Sequence, residues 1–414
     1  MSLPDWADAG QPITPFGVDT GQRRGWRAAV AAALLAVAAA IAVAGAGWDV
    51  VAAAIAWVWA RTGAMDFVLL GLVAVVGAEL LARVVSGMPL FAPFNFVTKS
   101  FDLIEMYGYL RHDDRLGWCF KDDLNVSGGL TTGVHGLRMN DGTRRNPPLG
   151  AILAVGDSFT VGAVKDNETW PAYLEQLVGT PVINAGCGGY GVDQIVMRAG
   201  ELVPILKPRT LIVGILAQDI LRCNQRLFGA SFKPWFSVKD MQLTLEGVPV
   251  PRITPQTVTL NVWQRTFGYS CAVHWLMTRL KVKSWTLQGL DQRYKIREDI
   301  EGIIVASLLL KRLFDITVPR GIRVIVAMLW GANEAVADSE WGIVPPVANI
   351  ARTLGFEVID FYEPLHAMFV RDPKRFGSLW LIEDGQVGHP SKEGNALIAT
   401  HLHQAFFRNQ AAPT

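Results

Sequence analysis

The chain has 414 residues, too many for one average domain, so two or three folding units are expected. With 38 Lys and Arg against 37 Asp and Glu, a net charge of +1 and no long run of either sign, nothing marks nucleic acid as a partner. The four cysteines, Cys119, Cys187, Cys223 and Cys271, form neither a Cys-x-x-Cys pair nor a Cys/His metal spacing, which argues against a structural zinc or a disulfide framework and leaves one long-range bridge open.

Residues 1–25 mix Pro, Gly, Asp and Thr without apolar periodicity and read as a flexible tail. The mean hydropathy of +0.26 is raised by apolar stretches in the first fifth of the chain. Ala28 to Trp48 is almost wholly apolar, and about 20 such residues suffice to cross a bilayer as helix. A second such stretch runs from Met65 to Leu81, with Asp66 at one end, Glu79 near the other and Arg83 just beyond. Asp49 to Arg61 lies between them; it is too short to span, and with Trp57 and Trp59 it suits an interfacial or re-entrant helix. Residues 26–84 are therefore expected to form a transmembrane helical hairpin with a short interfacial segment. A cleaved signal peptide is the competing reading of the first stretch, opposed by the tail before it and the second span after it. Arg23, Arg24 and Arg27 precede the first span, Arg61 lies between the two, and Arg83 and Lys99 follow the second. The positive-inside rule then places both ends, and with them the large C-terminal part, on the cytoplasmic side; a third crossing by the middle segment reverses this.

Residues 85–145 are rich in Pro, Gly, Phe and Asp and are expected as a membrane-proximal connection of loops and short strands. His112 and His135 within it read as surface or turn histidines, since no partner is spaced to join them as ligands. From residue 146 to 410 the pattern changes to buried strands alternating with helices. The expected strands are Ala151 to Val155, Pro181 to Asn184, Thr210 to Leu216, Arg323 to Leu329 and Glu357 to Asp360, with amphipathic stretches such as Trp170 to Leu177 and Ile303 to Phe314 between them. Continuous apolar strands with helical crossovers imply a parallel sheet covered on both faces, with its site at the carboxyl ends of the strands. Residues 223–300 interrupt the pattern with a hairpin-like MQLTLEGVPVP and a Trp-containing segment around His274 and Trp285; a lid or binding wall and a plain spacer fit equally.

The stretch around which the rest is arranged is Ala151 to Gly162, where an apolar run stops at Gly156-Asp157-Ser158. Ser158 falls at a helix start, where backbone N–H groups and the helix dipole favour an oxyanion, although Asp157 or Ser158 acting as an ordinary N-cap accounts for the same pattern. Other strand ends carry Asn184-Ala185-Gly186-Cys187-Gly188-Gly189-Tyr190-Gly191, then Ala217-Gln218-Asp219, then Glu383-Asp384-Gly385-Gln386-Val387-Gly388-His389-Pro390-Ser391. A serine, a glycine loop of backbone donors, an amide and a late histidine with acids upstream supply what acyl transfer needs. Cys187 reads as a small packing residue, Asp193 and Gln194 as pocket-lining or helix-capping, and His401 and His403 as surface residues.

This set resembles the SGNH (GDSL) hydrolase family, named for a Ser, Gly, Asn and His contributed by separate motifs in that order. Gly156-Asp157-Ser158-Phe159 matches the first motif, Asn184-x-Gly with Gly189 the second, and His389-Pro390-Ser391-x-x-Gly394 the last. The surrounding phrases resemble membrane-anchored members associated with bacterial polysaccharide modification. The resemblance implies a three-layer, flavodoxin-like α/β domain with Ser158 as nucleophile, His389 as general base, and an oxyanion hole of Ser158, Gly189 and Gln218. Two positions depart from the family: Gln218 stands where Asn is usual, and Gln386 stands where the acid is usual. Asp384 or Glu383 must then reach the histidine, or the site runs as a dyad; Asp384 is the preferred acid.

The implied activity is that of a serine esterase or O-acyltransferase in the cell (inner) membrane, acting through an acyl-serine on an acylated carbohydrate or lipid-linked substrate. No cofactor and no metal are implied. The alternative is a non-catalytic SGNH-fold subunit of a membrane complex, suggested by Gln218, by the displaced acid, and by Glu79, because an ionisable group in a span usually faces a protein partner.

Overall fold

The computed structural model describes residues 64–408 apart from 92, 103, 105–106, 127–128, 230, 288–292, 338–341 and 384–385, together with Ala56 and Ala60. The described chain falls into two compact units, one from Met1–Phe96 with Asn261–Trp285, the other from Val97–Leu260 with Thr286–Thr414.

In the first unit the helix Ala64–Val85 follows the second expected span. Val68–Val85 has a mean hydropathy of 2.3 and is mostly exposed, and among the described residues it is the one helix long and apolar enough to cross a membrane. The first expected span, 28–48, lies outside the described residues, as does all but Ala56 and Ala60 of the segment after it. Glu79 has its partners within this chain. Its carboxylate accepts from Ser270 Oγ at 2.7 Å and from the backbone N–H groups of Cys271 at 3.0 Å and Ala272 at 3.1 Å, at the start of the helix Cys271–Arg279. These are the N–H groups a helix start leaves unpaired, and an anion there also meets the favourable end of the helix dipole. Arg83 completes the tie, with Nε 2.5 Å from Glu79 Oε1, Nη1 donating to the Pro89 carbonyl at 3.0 Å and Nη2 to the Tyr269 carbonyl at 3.1 Å.

The same unit takes the middle of the expected insertion. Asn261 and Gln264 form a reciprocal capping box, both bonds 2.9 Å, that starts the helix Val262–Phe267. Gln264 Nε2 then donates to the carbonyls of Ser284 and Trp285, and Trp285 Nε1 donates to His274 Nδ1 at 3.1 Å. Of the expected insertion 223–300, residues 261–285 fall in the unit of the apolar helix and the flanks in the second unit.

The second unit is built on five parallel strands, β1 (Ile152–Val155), β2 (Val182–Asn184), β3 (Thr210–Leu216), β4 (Arg323–Leu329) and β5 (Glu357–Asp360). Their spatial order is β2-β1-β3-β4-β5. Every residue of β1, β2 and β3 is buried, which is why these strands read as unbroken apolar runs. The connection β1 to β2 leaves towards one edge and β2 to β3 towards the other. With right-handed crossovers the intervening helices therefore fall on opposite faces. Accordingly Val192–Leu206, Asp299–Thr317 and Val344–Thr353 form one layer, while Trp170–Val178 packs against Lys392–Phe406 in the other. The buried Asn395 side chain joins this second pair by accepting from the Trp170 N–H at 2.9 Å.

Two smaller features bear on the site. The expected hairpin is present as Trp235–Lys239 paired with Gln242–Glu246, and Asp240 and Met241 at its turn both have positive φ, as a two-residue turn with the twist of the strands requires. Arg138 is buried: Nε pairs with Asp166 Oδ1 at 2.8 Å, and Nη1 donates to the carbonyls of Val161 and Gly162 at 2.6 Å each. It thereby holds the chain that follows Ser158.

Lys233 is fully buried and ion-paired with the equally buried Asp193, and its ammonium also donates to the Arg222 carbonyl at 3.2 Å. Asp193 is thus the partner of a buried cation and is not among the residues that line the cavity holding Ser158. Lys233→Met strands that carboxylate and should lower the unfolding free energy by about 3–5 kcal/mol in chemical denaturation, with more than half recovered on adding Asp193→Leu. Equal losses in the single and double variants would show that the pair is not coupled.

Candidate active site

The turn after β1 is set by close packing. A Cβ on Gly156 would lie 2.0 Å from Thr160 Oγ1, so only glycine lets the helix Ser158–Val161 fold back so tightly on the strand. Asp157 is the N-cap: its Oδ1 accepts from the Phe159 N–H at 2.8 Å. Ser158 is left as the first helical residue, half-buried, with Oγ 3.3 Å from Asp157 Oδ2. The N-cap reading of this stretch is therefore correct for Asp157, and it is this cap that leaves the Ser158 hydroxyl in the cavity.

The glycine loop after β2 is pressed against this turn. Asn184 is fully buried, donating from Nδ2 to the Thr160 carbonyl at 3.1 Å and accepting from the Gly186 N–H at 3.1 Å. A Cβ on Gly186 would strike the Val161 nitrogen at 2.4 Å, and one on Gly188 would sit 3.7 Å from the Ser158 Cβ. Trp118 Nε1 donates to the Gly188 carbonyl at 2.9 Å, and the Tyr190 hydroxyl donates to the Trp118 carbonyl at 2.6 Å. In a trans peptide the N–H points opposite to the carbonyl, so Trp118 turns the Gly189 N–H away from itself. Gly189 has φ +80 and a Cβ there would meet Phe228 Cε1 at 2.6 Å.

Gln218 follows β3 in the helix Ala217–Arg222 and is exposed. Its amide has a fixed orientation: Nε2 donates to Glu334 Oε1 at 3.1 Å, while Oε1 accepts from Arg222 Nη2 at 3.5 Å. Glu334 is buried on the short helix Ala332–Ala335 after β4, and a side chain at Gly331 would strike its carboxylate at 2.1 Å. Arg222 Nη1 reaches Asp219 Oδ1 at 2.5 Å, Asp157 Oδ2 at 3.2 Å and the Tyr190 carbonyl at 3.0 Å. Burial pushes the Asp219 carboxyl well above its ordinary range, and the nearby Asp157 charge pushes it the same way, against the pull of Arg222.

His389 does not come from a loop directly after β5. Two helices, Tyr362–Arg371 and Pro373–Ser378, intervene, and His389 lies on the second strand of the antiparallel pair Trp380–Glu383 and Gln386–Pro390. Its ring is half-buried, 5.6 Å from that of Phe159, the residue after Ser158. Ser158, Gly188, Gly189, Gln218, Glu334 and His389 all line one cavity of about 910 Å3. Asp384, the preferred acid, lies outside the described residues. Gln194 does not line the cavity: it is buried and donates to the Leu116 carbonyl at 2.7 Å. Cys187 is buried too, and burial pushes its thiol up to about 12, which fits packing and not nucleophilic attack. Arg222 and Glu334 contribute to the site without a motif of their own, whereas Trp118 belongs to the Leu116-Gly117-Trp118 phrase.

No family model matches the chain, and no curated protein matches it. Several solved structures show likeness to part of it. A G-D-S-L family protein from Desulfitobacterium hafniense is 16% identical over 62% of this chain and 99% of its own, with a TM-score of 0.33. An acetylxylan esterase from Geobacillus stearothermophilus is 14% identical over 62% of this chain and 94% of its own, with a TM-score of 0.35. A two-domain esterase active on acetylated mannans is 13% identical over 64% of this chain and 50% of its own, also with a TM-score of 0.35.

The two loop glycines make opposite predictions. Gly189→Ala forces a side chain into positive φ and against Phe228, and should cost about 1–3 kcal/mol of stability in thermal unfolding. Gly188→Ala meets nothing closer than 3.7 Å and should leave the midpoint unchanged within error. A reversed order would show that the loop is shaped differently.

Proposed function

We propose that the protein is a membrane-anchored serine esterase or O-acyltransferase of the SGNH type. The observation that carries this reading is the convergence of Ser158, the Gly188-Gly189 peptide and His389 on one cavity at the carboxyl end of the sheet, from three separate parts of the chain. That end of a doubly wound sheet is where a ligand crevice forms, between strands whose connections diverge. The helix Ala64–Val85 supports the anchor.

In this reading Ser158 Oγ attacks the ester carbonyl carbon while His389 takes the hydroxyl proton. The carbonyl π pair moves onto oxygen, where the N–H groups of Ser158 and Gly189 and the Gln218 amide stabilise the charge. Collapse of the tetrahedral intermediate breaks the ester C–O bond; the leaving alkoxide takes the proton from His389, and the acyl group stays on Ser158. Water or a sugar hydroxyl then repeats the sequence in reverse, giving hydrolysis or transfer. An acylated carbohydrate, free or lipid-linked, suits a cavity of this size, and Asp384 is the acid assigned to orient His389.

Gln218 is one methylene longer than the usual asparagine, and a longer side chain has more ways to miss. Glu334 and Arg222 remove that freedom: one holds the amide nitrogen, the other its oxygen. One N–H of the Gln218 NH2 group is committed to Glu334, leaving the second for a developing oxyanion.

Two measurements check this. A fluorophosphonate probe should label the intact protein and fail on Ser158→Ala, with labelling of His389→Ala slowed by at least about 10³-fold. An unlabelled wild-type protein would favour the non-catalytic subunit. In ester turnover Gln218→Ala should lower kcat by about 10²-fold with little change in KM, and Glu334→Ala added to it should lower kcat no further. Additive losses would mean that Glu334 acts elsewhere.

A further inference from the structure

The part of the chain that interrupts the α/β pattern has a surface that the proposed chemistry does not use. Between Asn261 and Trp285 the segment exposes Val262 (75%), Trp263 (67%) and Leu280 (63%), and to a lesser degree Phe267, Trp275 and Leu276. The Trp263 and Phe267 rings stack at 5.7 Å, one helical turn apart, as a single apolar plate. The same 25-residue segment carries four basic residues, Arg265, Arg279, Lys281 and Lys283, and no acidic one, in a chain whose net charge is only +1. Tryptophan and leucine beside lysine and arginine, with nothing negative, is the composition of a surface that meets anionic headgroups on one side and acyl chains on the other.

What covers this surface is indicated by how the segment is fastened. Twenty-two residues of helix at 1.5 Å each make Ala64–Val85 about 33 Å long, close to the roughly 30 Å of a hydrocarbon core. Glu79 and Arg83 lie in its last two turns, and they are the residues that grip Ser270, Cys271, Ala272 and the Tyr269 carbonyl. The join between the helices Val262–Phe267 and Cys271–Arg279 is therefore pinned at the level where a span leaves the acyl region. Carboxylate and guanidinium satisfy each other and a helix start at that depth, so neither is left unpaired in lipid.

We propose that Asn261–Trp285 is a membrane-interface element, lying in the headgroup layer with Val262, Trp263, Phe267, Trp275, Leu276 and Leu280 in contact with lipid and with its basic residues on anionic phospholipid. This rests on reading Ala64–Val85 as a span. The insertion then serves as a second, non-spanning membrane contact, independent of whether Ser158 is catalytic.

The test uses the full chain in nanodiscs of phosphatidylcholine and phosphatidylglycerol. The native cysteines are all buried, so a thiol-reactive, polarity-sensitive fluorophore can be placed selectively at Trp263→Cys and at Val75→Cys on the span. Lipids bearing a nitroxide just below the headgroup should quench the Trp263→Cys label at least about twofold relative to nanodiscs without nitroxide, while a nitroxide near the bilayer centre should quench the Val75→Cys label. Replacing phosphatidylglycerol by phosphatidylcholine, or adding Arg279→Glu with Lys281→Glu, should weaken the Trp263→Cys quenching. Quenching at Val75→Cys but not at Trp263→Cys overturns the interface element and leaves the anchor standing. Quenching at neither overturns the anchor and the element with it. A Trp263→Cys label shielded from aqueous iodide yet unquenched by lipid means that a protein covers the face, which also overturns the proposal.

Discussion

Behind the Ser158 turn two buried carboxylates share one guanidinium. Asp157 and Asp219 both reach Arg222 Nη1, and Arg222 also holds the Tyr190 carbonyl and the Gln218 amide. Asp157 comes from the end of β1, Asp219 and Arg222 from the end of β3, and Tyr190 from the loop after β2. Three strand ends are therefore fixed to one another by charge at the place where their connections diverge. Without Arg222 two carboxylates would face each other in a poorly solvated site, which the fold could not tolerate with both ionised.

Close approach does the rest. Gly156 and Gly186 are at positions where any side chain would collide with the Ser158 helix, so the loop after β2 lies directly on the turn after β1. Trp118, from the region ahead of the sheet, aims the Gly188-Gly189 peptide, and Arg138, from the same region, gathers the carbonyls at the end of that helix. Residues 97–145 fall in the same compact unit as the sheet.

The sheet was legible in the sequence because its inner strands are buried on both faces and must read as apolar runs. Ser158 and Gly189 were legible as candidates because they stand just past the ends of β1 and β2 among glycines, and His389 because of the His389-Pro390-Ser391 pattern around it. Glu334 and Arg222 were not legible, because a lone acid or base on a short helix acquires meaning only from its neighbour across the sheet. Asp193 read equally as pocket-lining or helix-capping, while its ion-pair partner is Lys233, forty positions further along, which no local pattern connects to it. Nor could the sequence divide the insertion: residues 261–285 are apolar and basic in text, and only the grip of Glu79 on 270–272 reveals which unit they join.

The separation of Ser158 and His389 along the chain also orders events in time. More than two hundred residues lie between them, and the helix Ala64–Val85 precedes both. Since a ribosome releases its product from the amino end, the apolar helix emerges long before the imidazole exists. Ser158 and His389 can therefore come to line one cavity only after nearly the whole chain has been made.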